Sequence, residues 1–380
     1  MDARQGYAVV RDGNRWVIGE RATRVVTARG ADTFAALEEI ADEGFWVGFV
    51  AYDAGRAIEH IEPRIEDDLG LPDLAFVRFE DVRNSDELPP APAPTVEPAP
   101  IDLGAGDSSL TPDEHAMLVA RVHALLAAGE CYQVNLTRRL TFDTAPDPYT
   151  LFTALTRLNP APHAGVCVFG DALAGVAVVS ASPELFLRVD GRDVETRPIK
   201  GTAADAATLR ASDKDRAENL MIVDLARNDL GRVCEFGSIH VPALFALEAH
   251  PGLAHLVSTV RGRLRPDVGL DELVRATFPP ASVTGAPKPR VLQAIEDLEP
   301  VRRGVYCGAF GWVDAAAHER IELAVAIRTF TIAAGRTHLG VGGGIVADSY
   351  APDEWAETEL KGARLLRAAG ARAEQTVDVR

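Results

Sequence analysis

The chain has 380 residues, 47% of them hydrophobic, and a formal net charge of −17 from 56 acidic against 39 basic side chains. That apolar content supplies a large core, or two domains sharing one, and excludes a mainly disordered chain. The acidic balance repels polyanions, so nucleic acid and anionic membrane are disfavoured as partners, and an anionic substrate requires a locally basic pocket.

In chain order, MDARQGYAVVRDGNRW carries charges throughout and has no apolar core of a secretory leader. YAVVRD, RWVIGE, FWVGFVAYD and LAFVRFE predict short strands, with DTFAALEEIADEG as an amphipathic helix between them. Leu88 to Ile101, LPPAPAPTVEPAPI, is dominated by Pro and Ala and predicts an extended linker or surface loop. It suggests a division into an N-terminal segment, residues 1–105, and a larger domain, residues 106–380. TPDEHAMLVARVHALLAAGE opens a helix at Thr111, with Pro112 in the first turn, and stops at Gly129. The most apolar stretch, AGVCVFGDALAGVAVVSA, is broken at Gly170 and Asp171 and reads as a hairpin of two buried strands, not a membrane span.

Further strands are predicted at CYQVNLTRRLTF, LFLRVDG, YCGAFGWVD, ELAVAIRTFTIA and RTHLGVGGGIV. Helices are predicted at DRAENLMIVDLARN, LDELVRATF, PRVLQAIEDLE and PDEWAETELKGARLLRAAG. Hairpin-like strands followed by helical runs predict an α+β fold with mostly antiparallel sheets. Ser212 and Asp215 read as a capping pair for the DRAENLM helix, and Gly231 as its left-handed cap. The four cysteines, Cys131, Cys167, Cys234 and Cys307, form no C-x-x-C pair, which fits reduced thiols in a cytoplasmic protein.

Several residues carry chemistry with more than one reading. Glu218, in a first helical turn, complements the helix dipole or binds a metal. Glu357 and Lys361 lie four apart on one helix face, as a surface ion pair or as part of a site. Before them, GVGGGIVADS offers bare backbone N–H groups to a carboxylate or phosphate, without the spacing of a dinucleotide fingerprint. Glu184, in SPE at a strand end, is an exposed turn acid or a desolvated general acid. Arg328 sits inside the apolar run ELAVAIRTFTI, where a charge is paired or binds an anion. His255 is a core histidine or a site residue, and TGAPK, Thr284 to Lys288, lacks the Walker spacing for phosphate. Lys200, in ETRPIKGTA, is a solvated amine, an anion ligand or a nucleophile.

Taken in order, QVNLT, SPELF, PIKGT, KDRAENLMIVDLARNDLGRV, HLVSTVRG, VTGAPK, GAFGW, AIRT, GGGIVADS and ETELK closely resemble the chorismate-utilising enzyme family. The resemblance runs from about Ala116 to the final helix, and FVAYDAGRAIE and LPDLAF are similar to that family's N-terminal segment. It implies two large antiparallel sheets packed as a sandwich with peripheral helices, as in anthranilate synthase component I, and a chorismate and Mg²⁺ site in residues 106–380. Gln133 stands where the water-adding members carry lysine, which implies an ammonia-using branch. Lys200 stands where C2-aminating members typically have alanine, which implies amination at C4, as in aminodeoxychorismate synthase component I, on the way to 4-aminobenzoate and folate. The alternatives are C2 amination or a secondary-metabolism relative.

The resemblance further assigns the metal to Glu218 and Glu357, general-acid work to Glu184, and an orienting role to His255. Lys200 becomes the nucleophile or an electrostatic aid. Tyr306 and Arg328 are assigned to the pyruvyl carboxylate, and Gly201, Thr202, Thr284, Gly342, Gly343, Gly344 and Lys361 to the rest of the substrate. None of the cysteines sits in a glutaminase-type glycine elbow, so a separate glutamine amidotransferase partner is expected to supply ammonia. With no further sequence after Arg380, a separate aminodeoxychorismate lyase is expected downstream. An LLES-like segment is missing near the start, which argues against tryptophan feedback.

Overall fold

The computed structural model describes residues 6–90, 101–203, 206–250, 253–315 and 320–371. Among them are eighteen strands and eight α-helices, and every pairing between these strands is antiparallel. The expected α+β architecture holds, and the pairings run on from strand to strand as one hydrogen-bonded network.

Side-chain alternation explains the layering, because successive residues of a strand face opposite ways. Ala8 and Val10 enter a central core with Phe45, Val47, Phe49, Phe310 and Trp312. Their neighbours Tyr7 and Val9 enter a second core under the helices Pro148–Leu158 and Ala351–Ala368. Trp46 and Val50 turn to a third, shared with Asp32–Asp42, Leu270–Thr277 and Lys288–Leu298. The central core is thus the interior of a sandwich whose two outer faces are covered by helices. Phe45–Val50, His163–Val168 and Ala177–Ser182 are accordingly buried along their whole length, and the first reads as an unbroken apolar run.

The helix Pro112–Ala127 carries the full capping box at Thr111 and Glu114. The hairpin read in AGVCVFGDALAGVAVVSA is present, His163–Val168 against Ala177–Ser182. Residues 91–100 of the Pro/Ala-rich stretch lie outside the described residues.

Three local expectations change. ELAVAIRTFTIA is not one strand: Arg320–Val325 and Thr329–Ala333 are separated by a break at which Arg328 adopts φ 52°. Gly231 is not a left-handed cap, since the helix Asp213–Gly231 runs through it and ends at Arg232 in right-handed geometry. The sequence reading also lacked the helix Pro148–Leu158. It is nucleated by Asp147, whose carboxylate accepts the Thr150 N–H at 2.8 Å, and it buries Tyr149, Leu151, Phe152 and Leu155.

Candidate active site

Glu184 stands one residue, Pro183, beyond the strand Ala177–Ser182, and its backbone is fixed before its side chain is considered. The Val325 N–H donates to the Glu184 carbonyl at 3.0 Å, and the Ser182 hydroxyl donates to the Val325 carbonyl at 2.6 Å. The residue is 4% exposed. Burial pushes its pKa up to about 7, against the pull of hydrogen bonds from Ser282 and the Ile199 N–H and of the cations Lys200 and Arg328. Near neutral pH the carboxyl therefore holds a proton it is able to give away.

Lys200 lies on the strand Ile199–Ala203, which pairs with Leu253–Arg263 so that Thr202 faces His255. The register slips between Ile199 and Thr202, and Gly201 takes φ 81°. A Cβ at Gly201 would come within 2.9 Å of Asp215 Cγ, so glycine is required both by backbone and by space. Lys200 Nζ stands 4.0 Å from Glu218 Oε2, and Lys214 Nζ stands 4.0 Å from the other oxygen. Burial lowers the Lys200 pKa, Lys361 adds to that effect, and Glu218, Glu184 and Glu357 oppose it. Burial raises the Glu218 pKa despite Lys200 and Lys214. For both partners, desolvation outweighs mutual attraction.

The glycine strand forms the opposite wall. In Arg336–Ile345, Gly342, Gly343 and Gly344 pair with Thr137, Leu136 and Asn135. Lys361 Nζ donates to the Gly342 carbonyl at 2.9 Å and pairs with Glu357 Oε1 at 2.6 Å. A Cβ at Gly343 would lie 3.3 Å from Glu354 Oε2 and 3.8 Å from both Glu357 Oε1 and Lys361 Nζ, so its missing side chain leaves the space between these groups. Burial works to raise the Glu357 pKa, but Lys361, Lys200 and Lys214 together hold it below the usual carboxylate value.

Glu184, Lys200, Glu218, Arg328, Glu357 and Lys361 thus come from separate segments into one electrostatic cluster. Arg328 is half-buried, and desolvation lowers its pKa against the opposing pull of Glu184. Tyr306 packs its ring on Gly340, where a Cβ would approach to 2.2 Å. His255 is 1% exposed and joins through the pairing with Thr202, whose own side chain is outside the described ones. Thr284 is spent on loop structure: its hydroxyl donates to the Pro280 carbonyl at 2.9 Å and its carbonyl accepts the Asn135 N–H at 2.8 Å.

Among the described residues no group of three or more His, Cys, Asp or Glu is placed to hold a metal. Glu218 and Glu357 nevertheless offer oxygen donors alone, which suits a hard divalent cation that fills its other positions with water and substrate oxygens.

Sequence reasoning gave no role to Ser282, which lies one residue before the VTGAPK motif, or to Lys214, which opens the KDRAENLM motif. Gln133 is fully buried, and neither side-chain amide atom has a hydrogen-bond partner. An amide in that state loses about 1–3 kcal/mol of solvation unless something else in the site bonds it.

The profile of the chorismate binding enzyme family matches residues 6–367. This chain belongs to that family. Aminodeoxychorismate synthase component 1 of Klebsiella aerogenes is 38% identical over 84% of this chain and 76% of its own length. Anthranilate synthase component 1 of Thermus thermophilus is 37% identical over 94% and 86%. The crystal structure of anthranilate synthase component I from Streptococcus pneumoniae superposes with a TM-score of 0.81, at 27% identity and 92% coverage of both chains. In this acidic chain Arg328, Lys200 and Lys361 are cations that the fold gathers around Glu184, Glu218 and Glu357. Among the described residues no helix is long and apolar enough to cross a membrane.

Proposed function

We propose that this chorismate-binding enzyme is the C4-aminating subunit of an aminodeoxychorismate synthase. It converts chorismate and ammonia into 4-amino-4-deoxychorismate and water. The observation that carries this reading is Lys200: a buried amine, lowered in pKa, among Glu184, Glu218 and Glu357. The Klebsiella relative's designation as component 1 supports a second component, for which we propose a glutamine amidotransferase that delivers ammonia. A separate lyase then releases 4-aminobenzoate, the folate precursor.

Mg²⁺, held by Glu218 and Glu357, would neutralise substrate carboxylate charge when bound. Arg328 and Tyr306 take the pyruvyl carboxylate, and the Gly342 to Gly344 backbone with Lys361 holds the ring end. Thr284 keeps the loop that carries Ser282 in place. The neutral Lys200 amine forms a bond to C2, the ring double bonds shift, and the C4–O bond breaks as Glu184 protonates the departing hydroxyl to water. Ammonia then forms the C4–N bond and expels Lys200 by the reverse shift, which gives overall retention at C4. His255 orients the strand carrying Thr202 and Lys200.

The test is incubation with chorismate, Mg²⁺ and ammonium salt, followed by an aminodeoxychorismate lyase. The proposal requires 4-aminobenzoate. Anthranilate in its place, with pyruvate released before the lyase is added, would overturn it.

A further inference from the structure

The charged cluster described above is not the only surrounding of Glu184. Glu184 also borders a cavity of about 30 Å³ walled with it by Thr196, Ala226, Asp229, Thr277 and Ser282 among apolar neighbours. Lys200, Glu218, Arg328, Glu357 and the glycine strand do not line it. One water needs roughly 10–15 Å³ of such space and two or more polar partners, so the cavity holds about two. Its polar walls are suitably placed. Ser282 already bonds the Glu184 carboxyl. Asp229 is held by Lys288 Nζ at 2.8 Å, which also donates to the Thr277 carbonyl at 2.9 Å. Thr196 and Ala226 are half-buried and mark the outward end.

The chemistry creates a need for such a path, given the proposed function on which this inference rests. Neutral ammonia enters, Glu184 gives its proton to the hydroxyl that leaves as water, and an alkyl amine departs as ammonium at neutral pH. The sum is chorismate plus ammonia plus one proton, giving the ammonium product plus water. Each turnover therefore leaves Glu184 as a carboxylate that must regain one proton from solvent, while substrate occupies the charged cluster. We propose that the cavity beside Glu184 holds an ordered water chain that returns this proton, with Thr196, Asp229 and Ser282 as positioning residues. The ligand is water, and its exit to solvent lies between Thr196 and Ala226.

Two variants of the full chain test this with chorismate, Mg²⁺ and ammonium: Ala226→Leu, which fills the cavity, and Thr196→Val, which removes one hydroxyl at nearly constant shape. The expected result is a kcat lowered roughly fivefold or more at unchanged KM for chorismate, with a larger solvent deuterium isotope effect on kcat than in wild type. Thr196→Ser should restore both. If Ala226→Leu melts at a much lower temperature than wild type, the Thr196 pair carries the test. Unchanged kcat and isotope effect would overturn the relay, as would a lower kcat with a wild-type isotope effect and no recovery in Thr196→Ser. Wild-type product identity is read separately: anthranilate would sink the functional reading, while 4-aminobenzoate with unperturbed variants would sink the relay alone.

Discussion

Lys200 Nζ and Glu218 Oε2 stand 4.0 Å apart, and burial moves both toward neutrality, the amine down and the carboxyl up in pKa. An exposed ion pair of this length would hold both charges and contribute little. Here the amine is closer to its nucleophilic form, and the acid is poised to ionise fully when a cation arrives.

From that relationship, Lys200→Ala should lower turnover with ammonium by about a thousandfold while leaving the thermal melt near wild type. Intact-protein mass after incubation with chorismate and Mg²⁺, without ammonia, should show the chain plus chorismate minus water. Normal turnover with no adduct under any quench would leave Lys200 an electrostatic role only.

Glu184 gives a pH-dependent stability. Its carboxyl loses a proton near 4.5 in the unfolded chain and near 7 in the fold, so between those values the folded state binds more protons. The penalty for an ionised buried Glu184 is absent below pH 4.5 and fully present above pH 7. Replacing it by Gln should therefore stabilise the chain increasingly across that window, by up to about 3 kcal/mol. Denaturant midpoints measured across the window check this, and a difference that does not depend on pH would contradict it. Activity of the variant should be lost throughout.

Glu218→Gln and Glu357→Gln should each raise the Mg²⁺ concentration for half-maximal rate by roughly tenfold or more, since each removes one anionic oxygen donor. Titration of the rate with Mg²⁺ at saturating chorismate reads this directly. An unchanged midpoint in both would place the metal elsewhere.

Gly340→Ala puts a methyl 2.2 Å from the Tyr306 ring, which is too close for either to stay where it is. The variant should lose about 1–3 kcal/mol of stability. Its KM for chorismate should rise more than its kcat falls, because the displaced ring is assigned to substrate binding. A kcat effect alone would remove Tyr306 from that role.

Much of the fold was legible because it rests on local signals. Thr111 with Glu114 three residues on, and unbroken runs such as Phe45–Val50, state their element and burial without tertiary information. The helix Pro148–Leu158 was not legible, because Thr150, Thr153 and Thr156 lower its intrinsic propensity. Its buried stripe, and the bonds from the Thr153 and Thr156 hydroxyls to carbonyls three residues back, override that preference. Arg328 misled for a related reason. Hydropathy showed one apolar run, whereas the φ of 52° that divides it has no signature in composition.

The site was legible only as an ordered set. Glu218 and Glu357 are ordinary helix acids in isolation, 139 positions apart, and it is the fold that puts Lys200 within reach of both their fields. Gln133 was legible as a position, but its unpartnered amide and the bond from Ser282 to Glu184 were not, since hydrogen-bond satisfaction is a property of packing and not of sequence.

The most direct test of the central claim is where the new nitrogen sits. With ¹⁵N-ammonium, chorismate, Mg²⁺ and the purified chain, and no lyase present, NMR of the product should show ¹⁵N bonded to C4 of a ring that still carries the enolpyruvyl ether. Nitrogen at C2, or pyruvate released with an aromatic product, would contradict it.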